Sequence, residues 1–152
     1  ILIEGEDKMA KVLAVNISET KGVPKEPIKR GYFEVNHGLT GDAHAGNWHR
    51  QVSLLGQESI DKSKDKMKDL CAGVFAENLT TEGIILYELP IGTKLKIGET
   101  EMEVTQIGKE CHTGCAIREL VGDCVMPREG IFTKVLKPGW IKPGDTIEIT
   151  QE

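Results

Sequence analysis

The chain has no excess of basic residues. Its 19 Lys and Arg stand against 24 Asp and Glu, a formal net charge of −5. Proteins that grip nucleic acid are usually basic, so nucleic acid is not an expected partner. A local basic pocket stays compatible with that balance, because net charge averages over the whole surface. Long apolar runs are also missing. None approaches the length that crosses a bilayer, so no membrane partner is expected. Residues Ile1 to Asp7 show no basic segment followed by an apolar stretch, and no secretion signal is read there. The chain does not open on Met. Met9-Ala10-Lys11 reads as a native start, with Ile1 to Lys8 a leader or expression remnant; residues 1–10 are expected to be flexible and 11–150 to form a single domain. Cysteine is scarce: Cys71, Cys111, Cys115 and Cys124. Four cysteines in a chain of this size, without a secretion signal, do not read as a disulfide framework. Reduced thiols and a cytoplasmic location are expected.

What is present fits one domain with a real core: 152 residues, 39% of them hydrophobic. Heavy punctuation by 17 Gly and 6 Pro cuts the apolar segments short. Strands are expected at Lys11 to Ser18, Tyr32 to Val35, Gln51 to Leu55, Lys94 to Ile97, Glu101 to Ile107, Ile131 to Leu136 and Thr146 to Thr150. Gly98-Glu99-Thr100 reads as a hairpin turn. Lys137-Pro138-Gly139 and Lys142-Pro143-Gly144-Asp145 are turn chemistry around a short Trp140-Ile141 step. Many short strands with regular turns predict a mainly β protein, a barrel or a sandwich. Gly56 to Leu70 breaks the pattern, with Ile60, Met67 and Leu70 at helical spacing. Its alternating Lys and Asp residues read as a solvated helix face. A second short helix is expected at Ala116 to Leu120.

The segment Gln106 to Cys115 places two thiols, an imidazole and a lysine after a strand and within a Gly-containing loop. Lys109 and His112 beside Cys111 would favour the thiolate, the form that attacks sulfur or binds a soft metal. Zinc is disfavoured by the spacing of Cys111, Cys115 and Cys124. Cys71 and Cys124 read as small buried hydrophobes. A second constellation runs from His37 to Gly46 and on to His49-Arg50-Gln51. Wrapped round a ligand, it could grip an anion or supply a metal ligand; alternatively it is a long turn whose Asp42 bonds its own backbone. The third, Glu77 to Ile84, either lines a pocket or is a turn or strand edge. The basic residues Lys29, Arg30, Lys109, Arg118, Arg128 and Lys134 are candidates for anionic ligands, although sequence does not show that they converge.

Taken together these segments resemble one family, the MOSC domain, found at the C-terminus of molybdenum cofactor sulfurases. The likeness is carried by Gly41 to Gly46 with Arg50 to Leu55, by Gly73 to Gly83, by Leu89 to Thr93 with Leu95 to Gly98, by Thr105-Gln106 with the cysteine loop, and by Gly139 to Asp145. The resemblance implies a compact β-barrel with a few short helices. It implies a link to the molybdenum cofactor (molybdopterin). The protein would bind that cofactor, or carry sulfur as a cysteine persulfide from a pyridoxal-phosphate-dependent cysteine desulfurase to a metal–sulfur centre, or do both. Pyridoxal phosphate would sit only on the partner. Molybdoenzymes or cofactor-biosynthesis proteins would be further partners.

The family's key cysteine follows the strand carrying the Thr-Gln pair, which maps onto Cys111 as nucleophile and as metal ligand. A family variant has two cysteines there with two residues between them, of which the second can bind the metal. Three residues intervene here, and Cys115 is the second choice. Asp42, His44, Arg50, Glu77, Asn78, Lys109, His112 and Arg118 are the residues the resemblance offers to the cofactor. Two alternatives accompany this reading: a molybdenum-dependent reductase of N-hydroxylated compounds, and a cofactor-binding protein without catalysis. The sequence leaves open whether the protein is an enzyme.

Overall fold

The computed structural model describes residues 10–21, 23–62, 73, 75–108 and 129–151. Eleven strands occur among them: β1 (Lys11–Ile17), β2 (Glu26–Ile28), β3 (Gly31–Glu34), β4 (Gly38–Leu39), β5 (Val52–Gly56), β6 (Leu79–Glu82), β7 (Lys94–Ile97), β8 (Thr100–Ile107), β9 (Ile131–Lys137), β10 (Gly139–Ile141) and β11 (Ile147–Gln151). One α-helix, α1 (Gln57–Lys62), and a 3-10 turn at Leu86–Glu88 interrupt them. The mainly β class expected from the sequence is the class observed.

Eight strands form one sheet in the order β11-β7-β8-β9-β5-β6-β1-β2, and β10-β3-β4 form a second. All pairs in the large sheet are antiparallel except β5 with β6. That parallel pair needs a crossover, and α1 begins it. In β7 and β8 the burial alternates along each strand, with Leu95, Ile97, Met102 and Val104 inside. Their partners on the other face are Lys96, Glu101 and Glu103, the period of two that a half-buried strand requires. By contrast β5 is buried at all five positions, as befits a central strand covered on both faces. Val12, Val15, Phe33, Leu54, Leu79, Ile131, Val135 and Ile141 join the same core. Each large aliphatic side chain buried there contributes roughly 1.5–3 kcal/mol.

The ends of the large sheet approach each other without pairing as strands. Lys11 forms an isolated bridge with Thr146. The Val12 N–H donates to the Asp145 carbonyl (2.8 Å) and the Ile147 N–H to the Ala10 carbonyl (2.9 Å). This is a point contact between β1 and the start of β11, not a ladder. The sheet curls towards the barrel that the resemblance implied but does not close as one.

Several elements differ in extent from the sequence reading. Trp140 and Ile141 belong to a strand paired with β3, not to a bare step between turns. Leu79 to Glu82 forms a full strand held between β1 and β5. The helix starting after Gly56 is described only to Lys62. The remainder of that helix reading, the helix expected at Ala116 to Leu120, and residues 1–9 lie outside the described residues. Among the described residues no helix is long and apolar enough to cross a membrane.

Candidate functional site

The root of the cysteine loop is the end of β8. There the Gln106 amide joins two sequence constellations. The His49 Nε2–H donates to Gln106 Oε1 (2.8 Å), and Gln106 Nε2 donates to the Gly108 carbonyl (2.8 Å). One residue back, the Thr105 hydroxyl donates to the His49 carbonyl. The glycine-rich histidine loop is therefore fastened, through His49, to the residue pair from which the thiol-bearing segment departs. Cys111, Cys115, Lys109, His112 and Arg118 themselves lie outside the described residues, as do Cys71 and Cys124.

Arg50 follows in the same loop. Its guanidinium carbon lies 4.7 Å from the Trp48 ring centroid and 5.5 Å from that of Phe132 on β9. Cation–π contact with two rings holds the side chain in place. Its Nε is buried and has no hydrogen-bond partner among the described residues. Leaving such a donor unpaired costs about 1–3 kcal/mol. An anionic oxygen is the natural acceptor for it.

Behind these residues sits a cluster that holds the loop's shape. Lys25, in the turn before β2, is buried (3% exposed) despite its charge. Its ammonium donates to Asp42 Oδ1 (2.8 Å), Ser18 Oγ (3.2 Å) and His44 Nδ1 (3.0 Å). Asp42 also accepts from the backbone N–H of Ser18 and of His44 (both 3.1 Å). Burial on its own would push the Asp42 carboxyl up. The Lys25 ammonium, with those two backbone donors, outweighs it and holds the carboxyl below the usual carboxylate range. The Trp48 indole closes the loop by donating to the His44 carbonyl (2.8 Å). Asp42 thus does bond its own backbone, as the turn reading had it, and the same loop also carries His49 to the end of β8 and Arg50 to Phe132 on β9.

Glu77 and Asn78 are placed differently. Both are wholly buried. Glu77 accepts from the Gly73 N–H (2.9 Å), the Phe75 N–H (3.2 Å) and the Thr80 hydroxyl (2.7 Å). Asn78 Oδ1 accepts from the Ser53 N–H (3.0 Å), and Asn78 Nδ2 donates to the Asn16 carbonyl (3.3 Å). These bonds tie β1, β5 and β6 together beneath the loop. Burial pushes the Glu77 carboxyl above its ordinary value, against the pull of its hydrogen-bond donors. Gly73 links this network to Lys25, since its carbonyl accepts the Lys25 N–H (2.7 Å). A Cβ on Gly73 would lie 2.1 Å from the Lys25 carbonyl oxygen, and its φ is +87°, so only glycine fits.

Sequence reasoning missed Lys25, Trp48 and Gln106 as site residues. Nothing local distinguishes Lys25 from Lys21 or Lys29, and a lysine between prolines reads as surface. Gln106 stood in the Thr-Gln pair, but its side-chain bridge is visible only in three dimensions. Of the basic residues named from sequence, Arg30 lies over Trp140 (4.2 Å) and Lys134 faces Glu103 (4.0 Å), so neither joins this cluster. Among the described residues no group of three or more His, Cys, Asp or Glu side chains is placed to hold a metal ion.

A model of the MOSC domain matches residues 41–148. No curated protein matches the sequence. Several solved structures share the fold. The YuaD protein from Bacillus subtilis is 19% identical, with 91% of this chain and 94% of that chain covered and a TM-score of 0.75. YiiM from Geobacillus stearothermophilus is 16% identical, covering 93% and 75%, with a TM-score of 0.71. YiiM from Escherichia coli is 17% identical, covering 93% and 70%, with a TM-score of 0.66. At such identities the likeness is one of fold.

Proposed function

Because the chain belongs to the MOSC domain family, whose members are commonly tied to the molybdenum cofactor, we propose that it serves that cofactor by binding it and by carrying sulfur on Cys111. The observation that carries this reading is the Gln106 bridge. It sets His49, and with it the loop bearing Arg50 and His44, at the root of the segment that holds Cys111.

The buried Arg50 Nε, without a hydrogen-bond partner among the described residues, suits an anionic group of the cofactor. Arg50 and His44 would bind the cofactor's anionic oxygens, with Lys109, His112 and Arg118 as further donors. Asp42, Glu77 and Asn78 would hold the frame in which those donors stand. Cys111 would be the thiolate ligand to the metal. Bound there, the cofactor would supply a molybdenum centre able to exchange oxygen and sulfur ligands.

In sulfur carriage the Cys111 thiolate attacks the outer sulfur of a persulfide on a pyridoxal-phosphate-dependent cysteine desulfurase. The new bond joins Cys111 Sγ to that sulfur. The desulfurase S–S bond breaks, and its cysteine leaves as a thiolate. No outside oxidant or reductant is needed, and the rate follows thiolate fraction and access. Lys109 and His112 would raise that fraction.

The test is mass spectrometry of the intact protein after incubation with a cysteine desulfurase and cysteine. Wild type gains the mass of one sulfur atom, located on Cys111 by peptide mapping. Cys111→Ser does not, and Cys115→Ser does. The opposite pattern moves the role to Cys115, and no adduct on wild type removes the carrier reading.

A further inference from the structure

We propose that a cavity at the other end of β8 from the cysteine loop binds a small zwitterion, an α-amino acid, whose carboxylate is gripped by Arg30 and whose ammonium meets Glu99.

The cavity has a volume of ≈ 380 Å³ and is lined by Arg30, the hairpin tip Gly98-Glu99, Trp140, Lys142 and Asp145. Strand β8 runs from Thr100 to Ile107. About 20–25 Å of strand therefore separates the cavity from the root of the thiol-bearing segment. The proposal concerns a second place on the molecule and does not rest on the function proposed above.

Arg30 supplies the reason to expect a carboxylate. Its guanidinium carbon lies 4.2 Å from the Trp140 ring centroid, and Tyr32 meets the same indole edge-on at 5.2 Å. Tyr32 and Trp140 are register partners across β3 and β10, so the platform is fixed by the sheet. Stacking holds the guanidinium without using its N–H groups. Among the described residues no carboxylate, carbonyl or hydroxyl accepts from them. A planar fork of unspent donors matches a carboxylate.

The remaining lining charges select against a plain anion. Lys142 is spent on Asp145: its Nζ donates to Oδ1 (2.7 Å) and its backbone N–H to Oδ2 (2.9 Å). The Lys142 ammonium also feels the Glu99 charge at longer range. Glu99 is half used. Its Oε1 accepts the Trp140 backbone N–H (3.0 Å), and its other oxygen has no hydrogen-bond partner among the described residues. Two cations and two carboxylates thus line the cavity, and their charges cancel. A phosphate would gain Arg30 but face Glu99 and Asp145. A simple amine would gain Glu99 but face Arg30 and Lys142. Only a ligand carrying both signs is attracted at each end. Arg30 and Glu99 are both anchored on Trp140, one on its ring and one on its backbone, which sets the free donor and the free acceptor beside each other.

The test is a titration of the full-length 15N-labelled protein, without cofactor, followed in assigned 1H–15N spectra. Each common L-amino acid is added to about 10 mM. At least one is expected to move the Trp140 indole and Glu99 amide signals and to saturate in that range. Acetate, methylamine and inorganic phosphate, each carrying one sign only, bind at least about tenfold more weakly. Arg30→Met removes the fork, and Glu99→Gln keeps an acceptor for the Trp140 N–H while removing the charge. Each weakens the amino acid about tenfold. If a variant does not fold, the wild-type comparison with the single-charge probes decides alone. No response to any amino acid overturns the proposal. So does acetate or phosphate binding as tightly as the best amino acid, or unchanged binding in a folded Arg30→Met or Glu99→Gln. Sulfur loading of the protein is read separately by mass, so neither outcome bears on the other.

Discussion

Two buried carboxylates in this fold, linked indirectly through Lys25 and Gly73, are stabilised by opposite means. Asp42 has a cation against it and Glu77 has none among the described residues, only backbone and hydroxyl donors. The first is held below the usual carboxylate range, and the second is pushed above it by burial. The difference teaches which part of the molecule is frame and which is site. Around Glu77 every strong donor is spent on the chain itself, between strands β1, β5 and β6. Around Asp42 the cation is spent on shaping a loop whose next members are His49, which reaches the base of the thiol-bearing segment, and Arg50, which lies against Phe132.

The comparison is broken most severely by removing the cation. Lys25→Met leaves the Asp42 carboxylate buried without its partner. Loss of one member of such a pair costs about 3–5 kcal/mol, readable as a lower urea midpoint at unchanged slope. A loss under about 1 kcal/mol would mean that the pair is not buried in solution. Next comes Glu77→Gln, which puts an amide NH2 against donors that need an acceptor. A cost of about 1–3 kcal/mol is expected.

The pH dependence sharpens the contrast, because the two signs differ. Asp42 has a folded-state pKa below its unfolded value. Its contribution is full above the ordinary carboxylate range and is lost as pH falls through the lowered value. Glu77 has a folded-state pKa above its unfolded value. There the folded protein keeps a proton that the unfolded chain has shed, so stability falls as pH rises from the ordinary range through the raised value. Gln does not titrate. The stability advantage of wild type over Glu77→Gln is therefore largest in acid and shrinks as pH rises through that window. Urea unfolding of both proteins across the range checks this, and an advantage that grows with pH contradicts it.

The smallest effect is at Ala76, beside Glu77, whose φ of 65° lies in the left-handed region. Ala76→Gly relieves a strain of roughly 1–2 kcal/mol and adds chain entropy of roughly 0.4–1 kcal/mol. A net gain of about 0.5 kcal/mol is expected in the same assay. A loss would show that the Ala76 methyl packs favourably enough to offset its backbone.

Much of the frame was legible in the residues. Lys11 to Ile17, Lys94 to Ile97, Thr100 to Ile107 and Ile131 to Lys137 carry apolar runs or alternation strong enough to mark strands, and Gly98 turns the hairpin as read. β2 was not legible, because Pro27 demotes a short run that survives only at the edge of the sheet. β6 read as a turn or strand edge rather than an inner strand, because Thr80 and Thr81 are buried by their neighbours rather than by their own chemistry. Glu77 and Asn78 looked like pocket or edge residues for the same reason.

From its residues alone the chain determined its β class, its family resemblance and the strand that ends just before its thiol-bearing segment. These are local matters of apolar period, turn chemistry and order along the chain. Tertiary structure decided that Lys25 is buried beside Asp42 and His44, that Gln106 receives His49, and that Glu77 belongs to the frame. Each depends on segments 17 to 61 residues apart meeting at hydrogen-bonding distance, and on the low-dielectric surroundings that meeting creates. No property of a single segment encodes either.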